Sequence, residues 1–226
     1  MNPIRIVFIG CVEFSVAALN CLLHNNYSVV GVITKNESNF NKDFQDLAPI
    51  AQQHGIPYKY VSDINDQDIV TWVKCLQADV IYCFGWSNLI KEELLNAAPM
   101  GVVGYHPALL PHNRGRHPII WALALGLPET GSTFFFMDKG ADTGDILSQQ
   151  KVLIESADNA RTLYNKLIAV SLNQIKQFTS ELQSGTFKRI PQEKSKGNNW
   201  RKRGKNDGRI DFRMSARWIV NLARAL

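Results

Sequence analysis

The sequence predicts an α/β protein built on a Rossmann-like twisted, mainly parallel sheet with helices on both faces. Three observations carry this. Continuous apolar, β-branched runs of strand length recur (IRIVFIG, YSVVGVIT, ADVIYCFG). Segments with apolar residues at helical spacing separate them. The two patterns alternate along most of the chain, which is how βαβ units build a parallel sheet buried on both faces.

The elements follow in order. Residues 4–10 read as a buried strand ended by Gly10, and 13–24 as a helix with Phe14, Ala17, Ala18, Cys21 and Leu22 on one stripe. A second strand is expected over 27–34, then a flexible Asn/Ser-rich loop over 36–42. A helix near 44–54, a short strand from Tyr58 to Val61, a helix near 65–77 and a buried strand over 78–85 follow. A short helix at 89–97 precedes a strand at 101–106, and 117–126 fits a helix with Trp121 and Leu125 inward. Residues 131–138 and 145–154 read as a strand pair at the far side of the sheet. A long helix over 159–184 is expected to be capped by Asp158. The organisation predicted is one α/β unit over 1–185, then a basic linker and a C-terminal helix over 186–226, or the start of a truncated C-terminal subdomain.

At 226 residues and 45% hydrophobic composition the chain can bury a sizeable core, with one domain plus a small appendage as the expectation. No apolar run approaches the roughly 20 residues of a membrane helix. The opening MNPIRIVFIG turns into an apolar strand too soon for a secretory signal, which favours the cytoplasm. Cys11, Cys21, Cys75 and Cys83 form no CxxC pair and read as buried, reduced thiols. The net charge of +5 is uneven: Lys194, Lys196, Arg201, Lys202, Arg203, Lys205 and Arg209 crowd one late segment. Such a cluster suits either a solvated linker or a phosphate-bearing partner.

Several chemistries are disfavoured. The first strand–helix turn, GCVEFS, keeps only Gly10 of a GxGxxG pattern, so a dinucleotide is not expected. There is no Walker A motif and no GxSxG elbow. The five His residues lack metal-ligand spacing, so no metal site is expected. What remains is the segment 104–146. His106 ends an apolar strand, on the rim where open α/β sheets bind ligands, and its titration range suits proton transfer near neutral pH. Asp142 lies in a Gly140–Gly144 turn where backbone can approach a ligand, with Asp145 as the rival carboxylate.

That segment resembles the signature region of the folate-dependent formyltransferases. The matching elements are His106, Ala108-Leu109-Leu110-Pro111, Arg114-Gly115-Arg116-His117-Pro118 and Gly140-Ala141-Asp142-Thr143-Gly144-Asp145. The likeness extends to the IVFIG…EFS opening and to the late DGRIDF and NLARAL segments. It implies formyl transfer from N10-formyltetrahydrofolate, a co-substrate, to an amine. His106 would stabilise charge on the formyl oxygen or relay a proton, and Asp142 would orient the amine or accept its proton. The pterin would lie near Phe84, Gly85, Trp86, Leu89 and Ile90 and the turn of Asp138, Gly140 and Ala141, although Phe84 and Trp86 equally suit core packing. One position departs: the family's Asn would fall two residues before His106, where this chain has Gly104. Asn113, or Asn88, is the expected substitute donor. Otherwise His106 alone carries the oxyanion, or the protein is weak or inactive.

The stretch GRHPIIWALALGL is most similar to the sugar-nucleotide N-formyltransferase branch, an impression resting on His117, Trp121 and the short C-terminal part. The resemblance then implies a nucleotide-linked amino sugar as acceptor, with Arg114, Arg116, His117 and the basic tail serving its phosphates. Methionyl-tRNA or another small amine is the second reading, and a folate- or nucleotide-binding relative with weak catalysis the third. A homodimer is allowed for and no membrane partner is expected.

Overall fold

A computed structural model describes residues 3–38 and 42–226. Residues 39–41 of the loop expected over 36–42 lie outside the described residues. The order is β1 (Arg5–Ile9), α1 (Glu13–His24), β2 (Ser28–Thr34), α2 (Ala48–Gln53), β3 (Tyr58–Tyr60), α3 (Gln67–Cys75), β4 (Val80–Cys83), α4 (Glu92–Leu95) and β5 (Val102–His106). Then come β6 (Arg114–Gly115), α5 (Pro118–Ala124), β7 (Glu129–Phe136), β8 (Ile146–Leu153), α6 (Ala160–Ser184), β9 (Asn199–Trp200) and α7 (Ala216–Arg224).

Seven strands form one sheet in the order β3-β2-β1-β4-β5-β7-β8. The five from β3 to β5 are parallel, while β7 runs antiparallel to β5 and β8 antiparallel to β7. The mainly parallel sheet and the strand pair at its far side are both as the sequence predicts. On one face, Ile6, Phe8, Tyr82, Val103 and Phe134 pack against α1 through Phe14, Leu19 and Leu22 and against α6 through Ile175, Phe178 and Leu182. On the other, Val7, Ile9, Ile81 and Val102 meet Val70 and Val73 of α3 and Leu94 and Leu95 of α4. Because successive strand residues alternate faces, every internal position of β1 and β4 is buried, which explains their unbroken apolar composition.

Several local expectations are corrected. The cap of α6 is Asn159, whose side chain accepts the Thr162 amide at 3.0 Å. Asp158 instead binds Lys166 at 2.7 Å, the Glu155 amide and the Thr162 hydroxyl. Helix α5 turns Ala122 and Leu123 inward, whereas Leu125 is exposed and Trp121 faces the C-terminal segment, giving its indole N–H to the Arg201 carbonyl. Cys11 and Cys83 are buried, as expected of inert thiols, but Cys21 is only half-buried and Cys75 is exposed.

After α6 the chain makes further contacts with the sheet and its loops. Ile190 bridges to Ile146, Gln192 is buried, and β9 pairs in parallel with β6. Helix α7 then closes on α5 through a cluster holding Leu123 and Ala225. No helix among the described residues is long and apolar enough to cross a membrane.

Candidate functional site

Strand β5 places Val102, Gly104 and His106 on one face by its period of two. Toward the antiparallel side of the sheet, that face is covered by loops rather than by a helix. The turn after β7 starts with Met137 donating to the Val102 carbonyl at 2.7 Å and returns through a bond from the Phe136 amide to the Asp145 carbonyl at 2.8 Å. Between these anchors the turn swings Asp142 against His106.

The two expected residues meet. Asp142 Oδ2 lies 3.5 Å from His106 Nδ1. The same oxygen accepts the Gly115 amide at 2.9 Å. Gly115 sits at φ +98 with its α-carbon so close to Trp200 that a β-carbon would fall 2.3 Å from the Trp200 carbonyl oxygen, so only glycine fits where this amide must point. On the far side of the ring, His106 Nε2 contacts the Asn113 carbonyl oxygen at 2.8 Å. A carbonyl can only accept, so Nε2 carries a proton and Nδ1 is the nitrogen that faces the carboxylate. His106 is 4% exposed, which corrects the expectation that it lies on an open rim; the Asp142 side chain, at 21%, is the member of the pair that solvent reaches. Asp145, the rival carboxylate, serves the strand end instead, its main-chain carbonyl accepting the Phe136 amide.

Asn113 does not fit the donor role expected of it. Its main-chain carbonyl, not its amide, faces His106, and its side chain is turned to Asn198: the Asn113 Oδ1 accepts from Asn198 Nδ2 at 3.2 Å while Asn198 Oδ1 accepts the Asn113 amide at 2.8 Å. At Gly104 the space for a family-type side chain is taken. A β-carbon there would stand 2.9 Å from Met137 Cγ and 3.2 Å from the Phe135 ring.

The expected phosphate ligands divide. Arg114 is 6% exposed, and its guanidinium gives two hydrogen bonds to Gln192 Oε1 at 2.7 and 3.2 Å, so it is a buried brace, not a surface cation. Arg116 donates to the Ser87 carbonyl at 3.3 Å. His117 lies beside it in a left-handed conformation, with its pKa held below the ordinary value by partial burial and then by the Arg116, Lys202 and Arg203 charges.

The expected folate residues divide too. Phe84 is fully buried among Phe8, Phe14, Tyr82 and Phe134, which makes it core. Ile90 is 5% exposed and packs in the α3/α4 layer, whereas Leu89 is 68% exposed. Trp86 is half-buried, with Lys35 Nζ 4.9 Å from its ring centre and its buried indole N–H without a hydrogen-bond partner among the described residues. Such an orphan donor costs roughly 1–3 kcal/mol unless something accepts from it. Gly85 takes φ +75, and Gly140 and Ala141 are exposed in the turn. Asp138 Oδ1 closes that turn by accepting the Gly140 amide and the Thr143 hydroxyl. Sequence reasoning missed Gln192 and Asn198. Both lie in a polar, basic stretch with no apolar period, so nothing local marks them.

A mainly parallel α/β sheet with a buried histidine set against a solvent-reachable carboxylate defines the class of fold and site. The chain belongs to the formyl transferase family, whose model matches residues 4–177. Solved structures of similar fold include an N-formyltransferase from Helicobacter canadensis in complex with folinic acid and dTDP-3-aminofucose, 19% identical, covering 98% of this chain and 80% of that one at a TM-score of 0.77. A 4-N formyltransferase from Francisella tularensis is 21% identical over 98% of this chain and 87% of its own, at a TM-score of 0.78. A phosphoribosylglycinamide formyltransferase from Bacillus halodurans is 25% identical over 80% of this chain and 95% of its own, at 0.69.

Proposed function

We propose that this protein transfers a formyl group from N10-formyltetrahydrofolate to the amino group of a nucleotide-linked amino sugar, with His106 and Asp142 as its acid–base pair. The observation that carries this is the Asp142 carboxylate, partly open to solvent and fixed between the Gly115 amide and His106. In such a transfer the amine nitrogen bonds to the formyl carbon, the bond from that carbon to the folate nitrogen breaks, the amine gives up a proton and the departing folate nitrogen takes one up. Asp142 is placed to receive that proton, and His106, whose Nδ1 faces the carboxylate, to relay it. The Trp86 indole N–H, unpartnered among the described residues, with exposed Leu89 three residues on, fits a flat heterocycle that offers an acceptor at its edge. The Helicobacter canadensis relative, bound to folinic acid and a dTDP-linked amino sugar, supports the choice of co-substrate and acceptor class. Arg116 and His117 remain the proposed phosphate contacts.

The test is formyl transfer by purified protein across dTDP-, UDP- and GDP-linked amino sugars and methionyl-tRNA, read as tetrahydrofolate release. Turnover with an amino-sugar nucleotide is expected. Turnover with methionyl-tRNA alone overturns the acceptor. A second reading, a folate- or nucleotide-binding relative with weak catalysis, is favoured by Gly104, which brings no donor to the site where Met137 fills the space. Binding without turnover would select it.

A further inference from the structure

The segment that follows α6 runs across both loops that hold the acid–base pair and binds them through the side-chain amides of Gln192 and Asn198. Gln192 is buried. Its Oε1 takes both bonds from Arg114, and its Nε2 gives one hydrogen to the Asp142 carbonyl at 3.0 Å and the other to the Gly144 carbonyl at 2.7 Å. Asp142 sits at φ 57, a left-handed conformation that costs a non-glycine residue free energy and persists only when the surroundings hold it. Asn198 grips the other loop. Its side chain pairs with both the main-chain amide and the side chain of Asn113, also left-handed at φ 61, and its carbonyl accepts the Arg114 amide at 3.0 Å. The Asn113 carbonyl so fixed is the partner of His106 Nε2.

We propose that residues 190–200 are a strap that sets the geometry of the acid–base pair, with Asn198 and Gln192 as positioning residues: Asn198 fixes the imidazole through the Asn113 carbonyl, and Gln192 fixes the carboxylate through the Asp142–Gly144 backbone. The inference rests on the formyl-transfer reading only for its kinetic readout. Neither residue touches the reacting atoms, so each acts by placement, where an error of an ångström costs about a hundredfold in rate.

The experiment uses the full chain. Asn198 is exposed, so Asn198→Ala keeps the core intact. Gln192→Glu keeps an acceptor for Arg114 while removing both donors to the turn. Nitrogen-15 NMR of the imidazoles reports the His106 tautomer without any substrate. The parent is expected to show a proton on Nε2 that exchanges slowly, and Asn198→Ala to show faster exchange and mixed tautomers. In turnover, both variants should lose roughly tenfold to a hundredfold in kcat with KM for either substrate within about threefold, the split expected when placement rather than binding is lost. A parent-like His106 spectrum and parent-like kcat in Asn198→Ala overturn the strap, as does parent-like kcat in Gln192→Glu. A parent without turnover whose His106 spectrum still responds to Asn198→Ala sinks the formyl-transfer reading and leaves the strap standing.

Discussion

His106 Nε2 lies 2.8 Å from the carbonyl oxygen of Asn113, so one main-chain acceptor decides which nitrogen of the imidazole is protonated. The opposite nitrogen is thereby aimed at Asp142, 3.5 Å away. The pair is thus prepared by backbone geometry.

Asp142→Asn is expected to keep the fold, because an amide oxygen can still accept the Gly115 N–H, and to lose roughly 10²–10⁴ in turnover as the proton acceptor disappears. His106→Ala should be as inactive and also less stable by about 1–3 kcal/mol, since it leaves the Asn113 carbonyl without its partner in a buried setting. Formyl-transfer rates beside thermal unfolding of both variants check this. Near-parent turnover of folded Asp142→Asn would remove its role.

Asn113→Gly should cost less than about tenfold in turnover, whereas loss of an oxyanion donor costs roughly 10²–10³. Glycine preserves the left-handed backbone and the carbonyl that faces His106; alanine would add about 1–2 kcal/mol of backbone strain and confuse the outcome. A hundredfold fall in kcat for Asn113→Gly would restore the amide as a donor.

Gly104→Asn alone should destabilise the protein by about 1–3 kcal/mol through overpacking against Met137 and Phe135. Combined with Met137→Ala the loss should shrink, because the thioether is the closest obstacle. Unfolding of the two single variants and the double variant forms a thermodynamic cycle. A coupling energy of zero would show that Met137 does not occupy that space.

Trp86→Phe removes an indole N–H that has no partner among the described residues. Its unfolding free energy should therefore change little, while affinity for the folate should fall about tenfold, the worth of one ordinary hydrogen bond. Calorimetric titration with folinic acid measures the second quantity. Unaltered affinity would place the pterin elsewhere.

The depressed pKa of His117 makes the folded protein prefer the neutral ring. Its contribution to stability is fully present above the ordinary His value of roughly 6.5 and is lost as pH falls through the lower folded-state value. His117→Gln should flatten the stability profile in that window. If a nucleoside diphosphate binds beside Arg116, adding one should raise the His117 pKa, which an NMR titration reads directly. No upward shift with dTDP would remove His117 from the phosphate contacts.

The sequence by itself determined the sheet. Runs such as IRIVFIG and DVIYCFG are apolar at every position because both faces of β1 and β4 are covered, and that demand is written residue by residue. It also placed His106 at a strand end and Asp142 in a glycine-flanked turn, and the fold brings them together. Only the tertiary structure decided what holds them. Arg114 reads as a ligand for phosphate until Gln192, 78 residues away, is seen to occupy its guanidinium. Asn113 reads as a donor until Asn198, 85 residues away, is seen to turn its amide aside. Strand periodicity is a local consequence of burial, so it shows in sequence. A hydrogen-bond partner supplied by a distant, polar segment leaves no period and no composition, so it becomes visible only when the chain has closed on itself.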